Sequence, residues 1–105
     1  MTILFDQGTP VPLRAALVGH TVDTAYERGW STLSNGALLV AAEASSFDVF
    51  ITTDQRLRHQ QSLCGRRLAI IVLPRRAGRT SNAMRETVVV AVASIRPGEY
   101  LELRW

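Results

Sequence analysis

The stretch "LAIIVL", residues 68–73, is apolar at every position. A strand with one wet face alternates apolar and polar residues, whereas an unbroken run of this length suits a strand covered on both faces, as in a parallel sheet. Parallel neighbours need crossover connections long enough to hold helices, so this one run constrains the rest of the chain. Other segments meet the constraint. "TILF" (2–5) reads as a short buried strand, and "HTVDTA" (20–25) alternates like a second. "DVFITT" (48–53), rich in β-branched and aromatic residues, reads as a third. "GEYLELRW" (98–105) alternates as an edge strand.

The intervening segments carry helix signals. Pro10 and Pro12 favour a turn and a helix start, and "PLRAALV" supplies helical residues up to Gly19. "ERGWSTLSNG" is a loop, in which Ser34 is placed to cap a helix over "NGALLVAAEASS". A short polar helix, "DQRLRHQQSL", is expected after the third strand, and Pro74–Ser81 form an Arg-rich connection. "NAMRETVVVAVASI" is long enough to favour helix despite its four valines. Val88 to Val92 are apolar nearly all round, which predicts burial between layers or at a homodimer interface. The "YLELRW" edge offers a second route to self-association.

This alternation predicts an α/β fold: a single domain spanning 1–105, built as a three-layer αβα sandwich around a mainly parallel sheet of four or five strands. Right-handed crossovers bring the strand C-termini to one edge. If the first strand lies beside the third, the chain leaves them in opposite directions and opens a crevice there.

At 105 residues with 47% hydrophobic content, the chain supports one packed core. Its apolar runs fall far short of the roughly 20 residues a membrane-spanning helix needs. The N-terminus has no basic, signal-length apolar segment, so a cytoplasmic protein is expected. Cys64, the single cysteine, has no internal disulfide partner, and no Cys/His spacing suggests zinc. The net charge of +3 is unevenly distributed. Residues 1–54 balance to −4, whereas Gln55 to Arg85 hold eight arginines and no acid. There is no lysine, so every basic side chain is a planar guanidinium suited to phosphate or carboxylate.

Only four aspartates occur, and two of them, Asp6 and Asp54, directly follow strand-like runs. In the predicted topology they meet across the crevice. Two adjacent carboxylates repel unless a proton or cation lies between them, and oxygen ligands with water positions suit Mg²⁺ or Mn²⁺. Each alone also has a bland reading, Asp54 as a helix cap and Asp6 as a turn residue. Glu27 and Glu43 read as surface charges.

The segments "ILFDQGTPVPLRAAL", "GHTV", "ERGW", "LSNGALLVAA", "FDVFITTDQRL" and "RRLAIIVL" together resemble the small bacterial PIN-like proteins, relatives of VapC-type toxins. The likeness runs in order from about Ile3 to Leu73, with a looser echo in "RPGEYLEL". It implies a metal-dependent ribonuclease of toxin–antitoxin type, with RNA as substrate and an antitoxin protein as partner. On this resemblance Asp6 matches the first acid of the family and Asp54 the acid of its "T-T-D" segment. Asn35 stands where relatives often have an acid at a helix start, and Arg56 where many add another. The resemblance therefore implies a site of Asp6, Asp54 and Asn35, the two acids holding Mg²⁺ or Mn²⁺.

Arg56, Arg58 and His59 follow Asp54, and Arg66, Arg67, Arg75 and Arg76 extend the basic segment, a candidate surface for RNA or an acidic partner. Aromatic platforms are few: Trp30 and Tyr26 lie in a loop near the crevice, with Trp30 expected to pack partly on the core. Two readings stay open, a ribonuclease and a non-catalytic binding module of the same fold. A receiver-like or flavodoxin-like domain would share the strand order, but no Gly/Ser/Thr phosphate loop follows the first strand.

Overall fold

The computed structural model describes residues 1–57, 66–74 and 82–104. Strands β1 (Thr2–Phe5), β2 (Thr21–Thr24), β3 (Val49–Thr52), β4 (Ala69–Val72) and β5 (Tyr100–Glu102) form one sheet in the order β2–β1–β3–β4–β5. Every pairing is parallel. Among the described residues there are three helices, α1 (Leu13–Ala16), α2 (Asn35–Ala44) and α3 (Asn82–Ser94). None is long and apolar enough to cross a membrane. The α/β class, the layering and the five strands agree with the sequence. "DQRLRHQQSL" and the Pro74–Ser81 connection lie largely outside the described residues.

The apolar runs are buried as their pattern requires. All four residues of β3 and of β4 are buried, while the edge strands β2 and β5 are partly exposed. Period-two alternation splits the core into two layers. Ile3, Phe5, Val49, Ile51, Ala69 and Ile71 face Leu13 and Leu17 beside α1 and Val88, Ala91 and Val92 of α3. Leu4, Phe50, Ile70 and Val72 face Leu38, Leu39 and Ala42 of α2, with Leu57 and Phe47.

Three local outcomes depart from the sequence reading. The helix in "PLRAALV" covers only four residues, because Leu17 leaves the helical region (φ −93°, ψ 51°) and Gly19 turns left-handed at φ 89°. The valine-rich helix buries Val88, Ala91 and Val92, spaced i, i+3, i+4, but leaves Val90 60% exposed. Its apolar surface is therefore only partly covered within the chain, so of the two expected burials, between layers or at a homodimer interface, the first is met on one side of the helix alone. Finally, the crossovers are not all of one hand. The β1–α1–β2 and β4–α3–β5 connections lie on the same face yet step in opposite directions across the sheet, so their hands are opposite, which is rare for parallel units. The short α1 leaves much of that face bare, and α3 covers it.

The β2–β1–β3 order creates the expected switch point. From β1 the chain passes to the α1 face; after β3 it passes to the α2 face, where Leu57 is buried. The ends of β1 and β3 flank a crevice at the edge where open α/β sheets bind ligands.

Candidate active site

Asp6 continues β1 by one residue, its N–H donating to the Ile51 carbonyl at 3.1 Å. Its side chain is 9% exposed, and each carboxylate oxygen accepts from a buried hydroxyl. Thr9 Oγ1 donates to Oδ1 at 2.7 Å and also lies 2.8 Å from the Ile51 carbonyl, so one proton serves two acceptors. Thr52 Oγ1, at the end of β3, donates to Asp6 Oδ2. The same hydroxyl accepts from the Asp54 N–H at 3.0 Å. Thr52 thus joins the two acids.

Asp54 is half-buried, and its oxygens are also engaged. Oδ1 accepts from the Arg56 N–H at 3.0 Å, the side-chain-to-backbone turn expected of an Asp opening a helical segment. Oδ2 accepts from Asn35 Nδ2. Asn35 is brought there by α2: Ser34 caps the helix, its Oγ accepting from the Ala37 N–H at 3.3 Å, which makes Asn35 the first helical residue. Asp6, Thr52, Asp54 and Asn35 therefore form one hydrogen-bonded chain across the switch point. Gly8 completes the approach, because a Cβ there would overlap Thr53 Oγ1. Gln55 Nε2 donates to the Leu73 carbonyl, tying the end of β3 to that of β4.

The three residues singled out for catalysis are brought together; of the arginines, the described Arg66 and Arg67 are not. Arg56 lies beside the acids with an exposed side chain. Arg66 and Arg67 precede β4 and so stand at the opposite, N-terminal edge of the sheet. They cannot extend one basic surface with Arg56, because the length of β4, about 13 Å at the usual strand rise, separates the two edges. Arg58, His59, Arg75 and Arg76 lie outside the described residues. Glu27 and Glu43 do not complete the acid cluster. Glu27 pairs with Arg14, whose guanidinium, hydrogen-bonded to it, holds its carboxyl down at about 2. Glu43 accepts from the Leu68 N–H near the far edge.

The sequence reading missed Thr9 and Thr52. Their signal was present: a Thr three residues after Asp6, and another two before Asp54 at the end of an otherwise apolar strand. A buried hydroxyl needs a partner, and the nearest acids supply one.

The ion pairs formed among the described residues are Arg14–Glu27, Arg28–Asp23 and Arg104–Glu102. None involves Asp6 or Asp54, so both carboxylates are held by neutral donors. No group of three or more His, Cys, Asp or Glu occurs among the described residues. The donor set is two carboxylates with amide and hydroxyl oxygens, which fits a hard divalent ion bound through one or two carboxylates, water and a substrate phosphate. It does not fit a soft metal.

A hollow of about 100 Å³ opens beside the acids, lined by Asp6, Gln7, Gly8, Trp30, Ser31 and Asn35 among others. A larger one, about 280 Å³, lies at the far edge between Glu43, Asp48, Arg67 and Arg96. Volume alone would favour the second. However, Glu43 and Asp48 there are each spent on a backbone N–H, while the convergence of polar side chains at the strand C-termini favours the first.

No known family model, curated protein or solved structure matches this chain.

Proposed function

We propose that this chain is a PIN-like ribonuclease of toxin–antitoxin type, dependent on Mg²⁺ or Mn²⁺, with Asp6 and Asp54 as its acid pair. One observation carries the reading: Asp6, through its carboxylate, and Asp54, 48 positions later, through its backbone N–H, meet at the Thr52 hydroxyl at the switch point, without a described cationic side chain paired to either carboxylate. Asp6 and Asp54 are the residues that would hold the ion. When bound, such an ion acidifies water and offsets charge on the phosphate. The chain's own groups do the positioning. Thr9 and Thr52 fix both oxygens of Asp6, Asn35 fixes one oxygen of Asp54, and the Arg56 guanidinium is free to meet a backbone phosphate. With only two anionic ligands, ion affinity and turnover are low.

A second reading has its own support. All four carboxylate oxygens of the pair accept bonds from this chain, as they would in a purely structural network. In that case the protein is a non-catalytic PIN-like module whose arginines dock an acidic antitoxin-like protein or nucleic acid. Cleavage of single-stranded RNA with and without Mn²⁺ separates the two. The enzyme reading expects Mn²⁺-dependent cleavage that Asp54→Asn lowers at least tenfold, about 1.4 kcal/mol of barrier, with folding intact. Absence of cleavage in both proteins, with RNA or acidic-protein binding retained, supports the module.

A further inference from the structure

The hollow beside Asp6 has a composition that the acid pair does not explain. Trp30 forms part of its wall and is held from two sides: the Arg28 guanidinium lies 4.7 Å from the ring centroid, and Phe47 meets the ring edge-on at 6.2 Å. An indole fixed in this way offers a planar ring at little further entropic cost. Lining the same hollow are side chains that read hydrogen-bonding edges. Gln7 spends its Nε2 on the Ser31 carbonyl at 3.0 Å, which leaves Oε1 as an acceptor. Asn35 spends its Nδ2 on Asp54, which leaves its Oδ1 likewise. The Ser31 hydroxyl can donate or accept.

We infer that this hollow is a base-binding subsite that takes one pyrimidine of a single-stranded RNA against Trp30. Its volume of about 100 Å³ is well below that of a drug-sized pocket and of the scale of one small base. Acceptors at Gln7 and Asn35 pair with the donor that each pyrimidine carries, the N4 amino group of cytosine or the N3–H of uracil. A purine has a second fused ring to house. The inference rests on the ribonuclease reading, since it places the base next to the acids that would cut the backbone, yet base binding needs no turnover.

The test is a titration of ¹⁵N-labelled Trp105→Phe protein, which retains Trp30 as its only indole, with cytidine, uridine and adenosine in metal-free buffer. The indole Nε1–H resonance should shift saturably with cytidine and uridine, and adenosine should bind at least tenfold more weakly. Gln7→Ala, an exposed position whose loss should leave the fold intact, should weaken pyrimidine binding about tenfold, the worth of one well-placed hydrogen bond. An unmoved indole signal, adenosine binding as tightly, or a Gln7→Ala protein of unchanged affinity overturns the subsite. The two proposals fail separately. Saturable pyrimidine binding in a protein that cleaves no RNA removes the ribonuclease and keeps the subsite; cleavage with an unmoved indole does the reverse.

Discussion

At the scale of single residues, the acids of the site are held in place by hydroxyls. Thr52 is fully buried and serves two partners, donating to Asp6 Oδ2 and accepting from the Asp54 N–H. Valine has nearly the same shape but leaves both partners unsatisfied. Thr52→Val should cost about 1–3 kcal/mol, the penalty for stranding a buried polar group, whereas Thr52→Ser should recover most of it. Denaturant midpoints at constant slope would show this, and a Thr52→Val protein of wild-type stability would mean that the hydroxyl bridge is not formed. The acids themselves were legible in the sequence, because a carboxylate ending an apolar run is conspicuous. The threonines were harder to read: their spacing from the acids was visible, but Thr is an ordinary strand and turn residue, and the partnership appears only once β1 and β3 are adjacent.

At the scale of elements, length and apolar period were reliable guides and helix ends were not. α2 begins where Ser34 predicts, and α3 is a helix as its length suggests. α1 stops early because Leu17 is pulled into the core and the backbone turns before a second helical turn forms. The end of α2 is the instructive case. Ser46 adopts φ 63°, its N–H donates to the Glu43 carbonyl at 3.1 Å, and the Phe47 N–H donates to Ala42 at 3.0 Å. This is the Schellman arrangement, in which glycine usually holds the left-handed position. The sequence placed Ser46 inside the helix for want of that glycine. Ser46→Gly removes the Cβ penalty but loosens the unfolded chain, and the net should be a gain of about 0.5–1 kcal/mol. A rise in thermal midpoint would bear this out; a fall would place the end of α2 elsewhere.

At the scale of the molecule, the parallel sheet sorts the chain's charges in a way the linear sequence concealed. Gln55 to Arg85 read as one basic block, but β4 runs through it. Arg66 and Arg67 are therefore delivered to one edge, while the chain emerges at the other, beside the acids, at Leu73 and Pro74. A contiguous charge in sequence is not a contiguous surface when a strand intervenes. The fold class, the strand order at the switch point and the meeting of Asp6 with Asp54 were all implied by alternating runs and crossover geometry. The reversed hand of the β4–α3–β5 connection was not, since it follows from how little of the sheet α1 covers.

The most direct test of the central claim is a crystal grown with Mn²⁺ and measured for anomalous scattering. One peak is expected within coordination distance of both Asp6 and Asp54, absent from the Asp54→Asn protein. No peak between them at saturating Mn²⁺, with the Thr9 and Thr52 hydroxyls, the Asn35 amide and the Arg56 N–H still holding the four carboxylate oxygens, would contradict it.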